Sequence, residues 1–193
     1  DDWQDVLDVH LTGHYNVVRT AINLFREQEY GRIIMCSSTS GLLGNIGQAN
    51  YGAAKMGIAA MSRIIAMENA NKGITCNTIC PSADTRMTRS VPTPKDADQA
   101  RIRDERLTRS RADAIAPLIT FLASEGADYV NGQIFHQRAG ELSLYSQPRP
   151  VRMVHHNGGW TPELIAENGM PALQAGFLDI ANSRNVHPGM PMD

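Results

Sequence analysis

The chain has 193 residues, 42% hydrophobic and 20% charged, the balance of one ordinary globular domain. That excludes a disordered chain, which carries fewer apolar residues and a larger charge imbalance. A net charge of −2 supplies no global basic field for nucleic acid. Sixteen Gly and ten Pro leave no room for a collagen or low-complexity scaffold. No stretch approaches the ~20 apolar residues of a membrane helix, and the acidic start Asp1-Asp2-Trp3 lacks the n- and h-regions of a secretion signal. Three cysteines, Cys36, Cys76 and Cys80, each sit in an apolar run. They read as buried free thiols in a reducing compartment, hence a cytoplasmic protein. The end, Pro191-Met192-Asp193, is not a Ser-Lys-Leu signal.

In chain order, residues 3–28 show helical spacing: Trp3, Val6, Leu7, Leu11, Tyr15, Val18, Ile22 and Phe25 recur at threes and fours. Gly31 follows as a stop signal. The run Arg32–Cys36 is short and nearly all apolar, as for a strand covered on both faces. Residues 37–50 are rich in Ser, Thr, Gly and Asn and read as a loop. A second helical pattern, rich in Ala and Met, runs from Tyr51 to about Asn69. Gly73 breaks it, and Ile74–Cys80 is a second short strand ending at Pro81. Helix, strand, loop, helix, strand in this order predicts βαβ units and a parallel sheet. Residues 82–112, with Pro92, Pro94 and a mixed-charge run from Lys95 to Arg111, read as a solvated lid or surface helix. Ala112–Ala123 is a short amphipathic helix, and Tyr129–Gln137 holds a third strand after Gly132. Beyond Glu141 one helix is expected near 162–182, opened by Thr161-Pro162-Glu163: a capping hydroxyl, Pro in the first turn, then an acid.

The chemistry centres on Tyr51-Gly52-Ala53-Ala54-Lys55. Residues i and i+4 of a helix lie one above the other, which puts the Lys55 ammonium near the Tyr51 phenol. A nearby cation favours the phenolate, and a tyrosine tuned in this way can give or take a proton near neutrality. Ser38 lies thirteen residues upstream, directly after the first strand. Strand C-termini form the ligand crevice of open α/β sheets. A hydroxyl there can hydrogen-bond a substrate carbonyl while Tyr51 protonates it. Metal chemistry has weaker support. Cys76 and Cys80 share a strand face about 13 Å apart at ~3.3 Å per residue, and His155-His156, with His187, lacks an acidic or Cys partner at ligand spacing. No metal is expected.

The runs Gly31–Ser38 and Gly44–Tyr51 through Lys55, with Asn77-Thr78-Ile79-Cys80-Pro81, resemble the short-chain dehydrogenase/reductases over residues 3–140. Within that family, Val9-His10-Leu11, Gly44–Tyr51 and Asn77–Thr88 resemble the 3-hydroxyacyl-CoA dehydrogenase part of the peroxisomal multifunctional β-oxidation enzymes. The resemblance implies an α/β, doubly wound, Rossmann-like parallel sheet and a nicotinamide cofactor, NAD or NADP with NAD favoured. It implies hydride transfer between a secondary alcohol and a ketone, at C3 of an acyl-CoA. Carried over, Ser38 positions the substrate oxygen, Tyr51 is the general acid/base, and Lys55 lowers the Tyr51 pKa and holds the nicotinamide ribose. Pro81, Ser82 and the residues through Thr85 line the nicotinamide pocket, Thr85 as a carboxamide partner. Two positions depart from the common pattern. The family's helix Asn is His10 here, either a water or proton-relay contact or a packing residue, and the Gly after the loop proline is Ser82.

The family's glycine-rich phosphate loop and Asn-Asn-Ala-Gly strand belong before Trp3, and neither is among these residues; Gly13 stands alone in a helix. Three or four βα units at ~30 residues each make roughly 100 residues upstream, including the residue that separates NAD from NADP. The expectation is therefore the C-terminal part of the domain over residues 1–140, with strands around Ile33, Thr75 and Ile134, and an extension over 141–193. By itself such a piece would lack half a cofactor site and be inactive. The face Gly52, Ala53, Met56, Ala59, Ala60 and Arg63 is rich in small residues; the resemblance implies a homo-oligomer, dimer or tetramer, in which this helix packs on its copy, and the alternative is a packing face within the chain. Alternative substrates are a 3-oxoacyl-carrier protein or a hydroxysteroid. A further alternative is a non-catalytic domain kept for assembly or acyl binding, against which the trio Ser38, Tyr51 and Lys55 argues.

Overall fold

The computed structural model describes residues 2–187; the last six residues of the expected 141–193 extension, with Pro191-Met192-Asp193, lie outside them. Two compact units are present, residues 2–145 with 182–187, and residues 146–181.

The first unit opens with α1 (Asp2–Leu7), a π-helical turn over Asp8–Thr12, and α2 (Gly13–Glu27), in uninterrupted succession. Then come β1 (Gly31–Cys36), α3 (Thr39–Leu42), α4 (Ala49–Glu68) and β2 (Ile74–Ser82). Residues 82–112 form α5 (Arg86–Ser90), which is exposed, and α6 (Ala97–Arg109), which spans most of the mixed-charge run and half-buries Ala100, Ile102 and Leu107. Next are a 3-10 turn over Ala112–Ile115 and α7 (Ala116–Ala123). A hairpin closes the series, β3 (Ile134–Arg138) and β4 (Glu141–Leu144).

The sheet has the order β1-β2-β3-β4. β1, β2 and β3 run parallel, with Cys36 opposite Ile79 and Cys80 opposite His136, and β4 pairs antiparallel on the outside of β3. The three strands expected around Ile33, Thr75 and Ile134 are all present. β4 is the addition: Glu141-Leu142-Ser143-Leu144 alternates in strand fashion, and Ala139 adopts φ 48° to make the tight turn before it. β2 is buried from Ile74 through Cys80, the signature of a central parallel strand. β1 alternates between buried and half-buried residues instead of being covered throughout, because it stands at the edge of the sheet.

Helices cover both faces. Ile33, Met35, Ile58, Ala66, Ile74 and Cys76 pack with Leu11, Val18, Ile22 and Phe25 under α2 and α4. Ile79, Leu118, Leu122 and Val130 pack with Ile34 and Phe135 under α7 on the other side. This is the two-sided layering of a doubly wound α/β sheet. The three cysteines are free thiols; burial pushes Cys76 up to about 11 and Cys80 up to about 12. No helix among the described residues is long and apolar enough to cross a membrane.

In the second unit, α8 (Pro162–Leu164), a π-helical turn over Ile165–Gly169 and α9 (Met170–Gln174) follow one another. The helix expected near 162–182 thus begins at its predicted cap, Thr161, whose Oγ1 accepts from Leu164 N at 3.2 Å. It stops at Gln174 because the chain turns at Ala175-Gly176, where Gly176 N donates to Leu173 O at 2.8 Å.

Candidate active site

The C-terminal end of β1 and the start of α4 are locked together by Lys55. Its ammonium donates to Cys36 O at 2.8 Å, while its own carbonyl accepts from Ser37 Oγ at 2.6 Å. The side chain is 5% exposed, and among the described residues no carboxylate pairs with it. A buried ammonium has three donors, and only one is committed here. α3 sits close on this junction. A Cβ at Gly41 would stand 2.7 Å from Met56 N and 2.8 Å from the Lys55 Cβ, so only glycine allows that approach.

The approach brings Ser38 to Tyr51. Ser38 caps α3, its Oγ accepting from Ser40 N at 3.2 Å, and its hydroxyl lies near enough to the Tyr51 phenol to draw the phenol's pKa down. Tyr51, half-buried in the first turn of α4, has its backbone N–H satisfied by Asn50 Oδ1 at 2.7 Å. The Lys55 Nζ is 5.6 Å from the Tyr51 ring centroid. The edge-on His10 ring lies 5.2 Å from the same centroid at 82°. His10 stands in the π-helical turn, a local widening frequent at functional positions, and His10 O holds His14 Nδ1 at 2.6 Å. Asn50 Nδ2 donates to Asp2 O at 3.0 Å, tying the start of α4 to the start of α1.

The electrostatics differ from the sequence expectation in one respect. Burial pushes the Tyr51 phenol above its ordinary value, more than the Ser38 hydroxyl pulls it down. Desolvation sets the direction, and Lys55, whose ammonium donates to the Cys36 carbonyl, is not among the groups that shift the phenol. Burial likewise holds Lys55 below the usual lysine range. His10 is lowered too, first by burial and then by Lys55 and His14, which keeps the imidazole neutral beside Tyr51.

Of the expected cofactor residues, Pro81 and Ser82 end β2 on the same side of the sheet as the end of β1. Ser82 Oγ lies 3.1 Å from His136 Nε2. Thr85 is exposed and caps α5: its Oγ1 accepts from Thr88 N at 3.2 Å, and its N–H donates to Thr88 Oγ1 at 2.8 Å. The structure thus gathers Ser38, Tyr51, Lys55 and His10 into one group, places Pro81 and Ser82 at the neighbouring strand end, and gives Thr85 a capping task. Among the described residues no three His, Cys, Asp or Glu side chains converge as metal ligands. His155 turns to Asn157 and His156 to Gly159 O, and His187 meets Tyr145.

Residues 1–140 match the family model described as enoyl-(acyl carrier protein) reductase. The chain belongs to the short-chain dehydrogenase/reductase family. Among relatives, it is 37% identical over 170 residues to the mouse peroxisomal multifunctional enzyme type 2, covering 87% of this chain and 22% of that one. It is 35% identical over 182 residues to a hydroxyacyl-CoA dehydrogenase of Mycobacterium tuberculosis, covering 86% of this chain and 54% of that one. The solved full-length peroxisomal multifunctional enzyme type 2 of Drosophila melanogaster superposes with a TM-score of 0.73 at 30% identity, over 89% of this chain and 30% of that chain. This short-chain dehydrogenase/reductase chain therefore spans between about a fifth and about half the length of these relatives.

Several residues that build the site escaped the sequence reading. Ser37, which anchors the Lys55 carbonyl, was hidden in a Ser-Ser pair where only the second member stood at the expected offset. His136 and its contacts lay in the third strand, where strict alternation from buried Ile134 places the residue inside. The π-helical turn under His10 has no signal in Asp8-Val9-His10-Leu11-Thr12.

Proposed function

We propose that this chain carries the catalytic part of a nicotinamide-dependent oxidoreductase acting between a secondary alcohol and a ketone, with a 3-hydroxyacyl-CoA as substrate. The observation that carries the reading is the convergence of Ser38, Tyr51 and Lys55 on one end of a parallel strand pair. The acyl-CoA substrate is supported by relatives named hydroxyacyl-CoA dehydrogenase and peroxisomal multifunctional enzyme.

The residues suit a nicotinamide nucleotide. Lys55 is a buried ammonium with donors uncommitted, fitted to ribose hydroxyls, and Pro81–Ser82 close the adjacent side, with Thr85 beyond them. When bound, the nicotinamide supplies or accepts the hydride. The rest is done by this chain. The Ser38 hydroxyl donates a hydrogen bond to the substrate oxygen and holds it against the Tyr51 phenol. Tyr51 gives its proton to that oxygen in reduction and takes it back in oxidation. Lys55 stabilises charge that develops on the phenol oxygen and fixes α4 to the β1 end. His10 passes the proton onward to water, a role supported by its ring contact with Tyr51.

Of the two nicotinamide dinucleotides we favour NAD, the form suited to oxidising an alcohol; parallel titrations with NAD and NADP decide. A cytoplasmic setting is supported by three free thiols, and co-sedimentation with an organelle would contradict it. A homo-oligomer is supported by the exposed side of α4, where Ala53, Met56, Ala60, Ile64 and Met67 form an apolar stripe. Ala59, from the expected face, instead points inward at 4% exposure, against Cys80 and Ile134.

The test is a substrate panel on the whole protein: 3-hydroxyacyl-CoA esters, a hydroxysteroid and a 3-oxoacyl-carrier protein, followed by nicotinamide absorbance. The acyl-CoA esters should give the highest kcat/KM. Turnover of none of them would contradict the proposal.

A further inference from the structure

A second polar cluster lies beside the candidate site. His136, in the middle of β3, is 1% exposed. Its Nε2 is 3.1 Å from Ser82 Oγ, and its Nδ1 is buried without a partner among the described residues. His187, directly after α10 (Ser183–Val186), covers it with ring centroids 4.3 Å apart at 31°. His187 Nε2 is in turn hydrogen-bonded to the Tyr145 hydroxyl. Tyr145 is fixed by its own N–H to Ile134 O at 2.9 Å. The same C-terminal segment reaches the loop on the other side of the site: Ser183 Oγ donates to Asn45 Oδ1 at 2.9 Å, and Asn45 Nδ2 donates to Ser40 Oγ at 2.8 Å. Residues 183–187 therefore join the loop that carries Ser38 to the strand end that carries Ser82.

An imidazole inside a sheet costs desolvation that a valine would not, so its contact with Ser82 is the gain to be explained. Ser82 is the last residue of β2, where the chain leaves the sheet for the loop ahead of α5. We propose that His136 is a positioning residue for the cofactor loop: it fixes the Ser82 hydroxyl at the head of that loop, and His187, brought by the C-terminal segment, shields the pair from water. The inference rests on the assignment of Pro81–Thr85 to the nicotinamide above. Donation from Nε2–H to Ser82 Oγ leaves a bare ring nitrogen at Nδ1, avoids burying an unpaired N–H, and frees the Ser82 O–H to donate outward.

The neighbours keep this imidazole neutral. Burial, then His187 and Arg138, hold His136 down to about 4 against the opposing Glu141. Burial and Arg138 lower His187 as well, again against Glu141. Arg138 and Glu141 pair at 2.6 Å. From β2, Cys80 is pushed up to about 12, as is Tyr145 beyond β4, so neither carries charge near neutrality. A histidine with a depressed folded pKa contributes fully above its ordinary 6.5 and loses that contribution as pH falls toward about 4.

The experiment uses the whole protein with His136→Leu, His136→Gln, Ser82→Ala and the Leu/Ala double variant. Readouts are NAD and NADH dissociation constants, the split between KM and kcat, and hydrogen exchange of the backbone amides of residues 82–90. His136→Leu and Ser82→Ala should each weaken the dinucleotide about five- to tenfold, with the loss in KM more than in kcat. Amide exchange over 82–90 should quicken, the double variant should be no worse than either single one, and His136→Gln, which keeps a donor, should recover most of the loss. Between pH 7 and 5 the contact and the wild-type KM should hold, because His136, held down to about 4, stays neutral across that range. Unchanged affinity and exchange in His136→Leu, or additive losses in the double variant, would overturn the proposal. If wild type binds no dinucleotide, the functional reading fails instead, and amide exchange in Ser82→Ala and His136→Gln alone decides the positioning claim.

Discussion

Tyr51 meets its partners from three directions: Ser38 from the loop after β1, Lys55 from the next turn of its own helix, and His10 from the π-helical turn. Burial holds the phenol above its ordinary pKa, so near neutrality it is a proton donor. The sign of the pH dependence follows. Ketone reduction uses the protonated phenol and should be sustained at neutral pH, falling only in alkali. Alcohol oxidation needs the deprotonated form and should rise with pH from roughly 6 to 10. Lys55→Met removes the buried ammonium 5.6 Å from the Tyr51 ring centroid and should lower kcat and weaken the dinucleotide, with little change in the pH at which oxidation rises. Initial rates in both directions across that range check this. An oxidation rate that is flat or falls as pH rises would contradict the role given to Tyr51.

At the scale of elements, the site depends on how closely α3 lies on α4. Gly41→Ala would put a Cβ within 2.7 Å of Met56 N, a backbone atom that cannot give way. The expected cost is about 1–3 kcal/mol of stability by overpacking, with a fall in turnover as Ser38 is pushed from Tyr51. Gly73→Ala offers the control. Its φ of 66° and the 2.1 Å approach of a Cβ to Glu29 O should destabilise the fold without specifically displacing Ser38. Thermal melts and kcat for the two variants separate these effects: Gly41→Ala should lose more kcat per degree of lost Tm. Much of this level was legible in the sequence. The order of β1, α4 and β2 follows from apolar runs punctuated by Gly31, Gly73 and Pro81, and the Tyr51–Lys55 spacing marked one face of α4. The helical span over residues 3–28 was legible as well, since α1, the π-helical turn and α2 run without a break from Asp2 to Glu27. The length of the helix after Thr161 was less legible, because termination at Ala175-Gly176 is a backbone choice that local periodicity does not encode. The direction of the Tyr51 shift was also out of reach, since it depends on burial in the folded chain, with Cys36 of β1 and Cys80 of β2 adding to it.

At the scale of the molecule, a sheet with helices on both faces brings the ends of β1 and β2 together, and α4 turns its apolar stripe outward. If that stripe pairs with a second copy, Ala60→Glu should split the assembly, since a charge buried at a helix–helix contact goes unpaired. Sedimentation velocity of the whole protein should then show a shift to a smaller species, and no shift would remove the oligomer proposal. The family was legible from short runs around Ser38, Tyr51 and Pro81. The cluster of His136, Ser82, Tyr145 and His187 was not, because its members come from strands and a C-terminal segment far apart in sequence. The central claim is that Tyr51 is the acid/base of a hydride-transfer site, and Tyr51→Phe in the whole protein tests it most directly. Turnover of 3-hydroxyacyl-CoA should fall by about 10²–10⁴-fold while the dissociation constant for the dinucleotide stays close to that of wild type. A Tyr51→Phe protein that turns over at the wild-type rate would contradict the account.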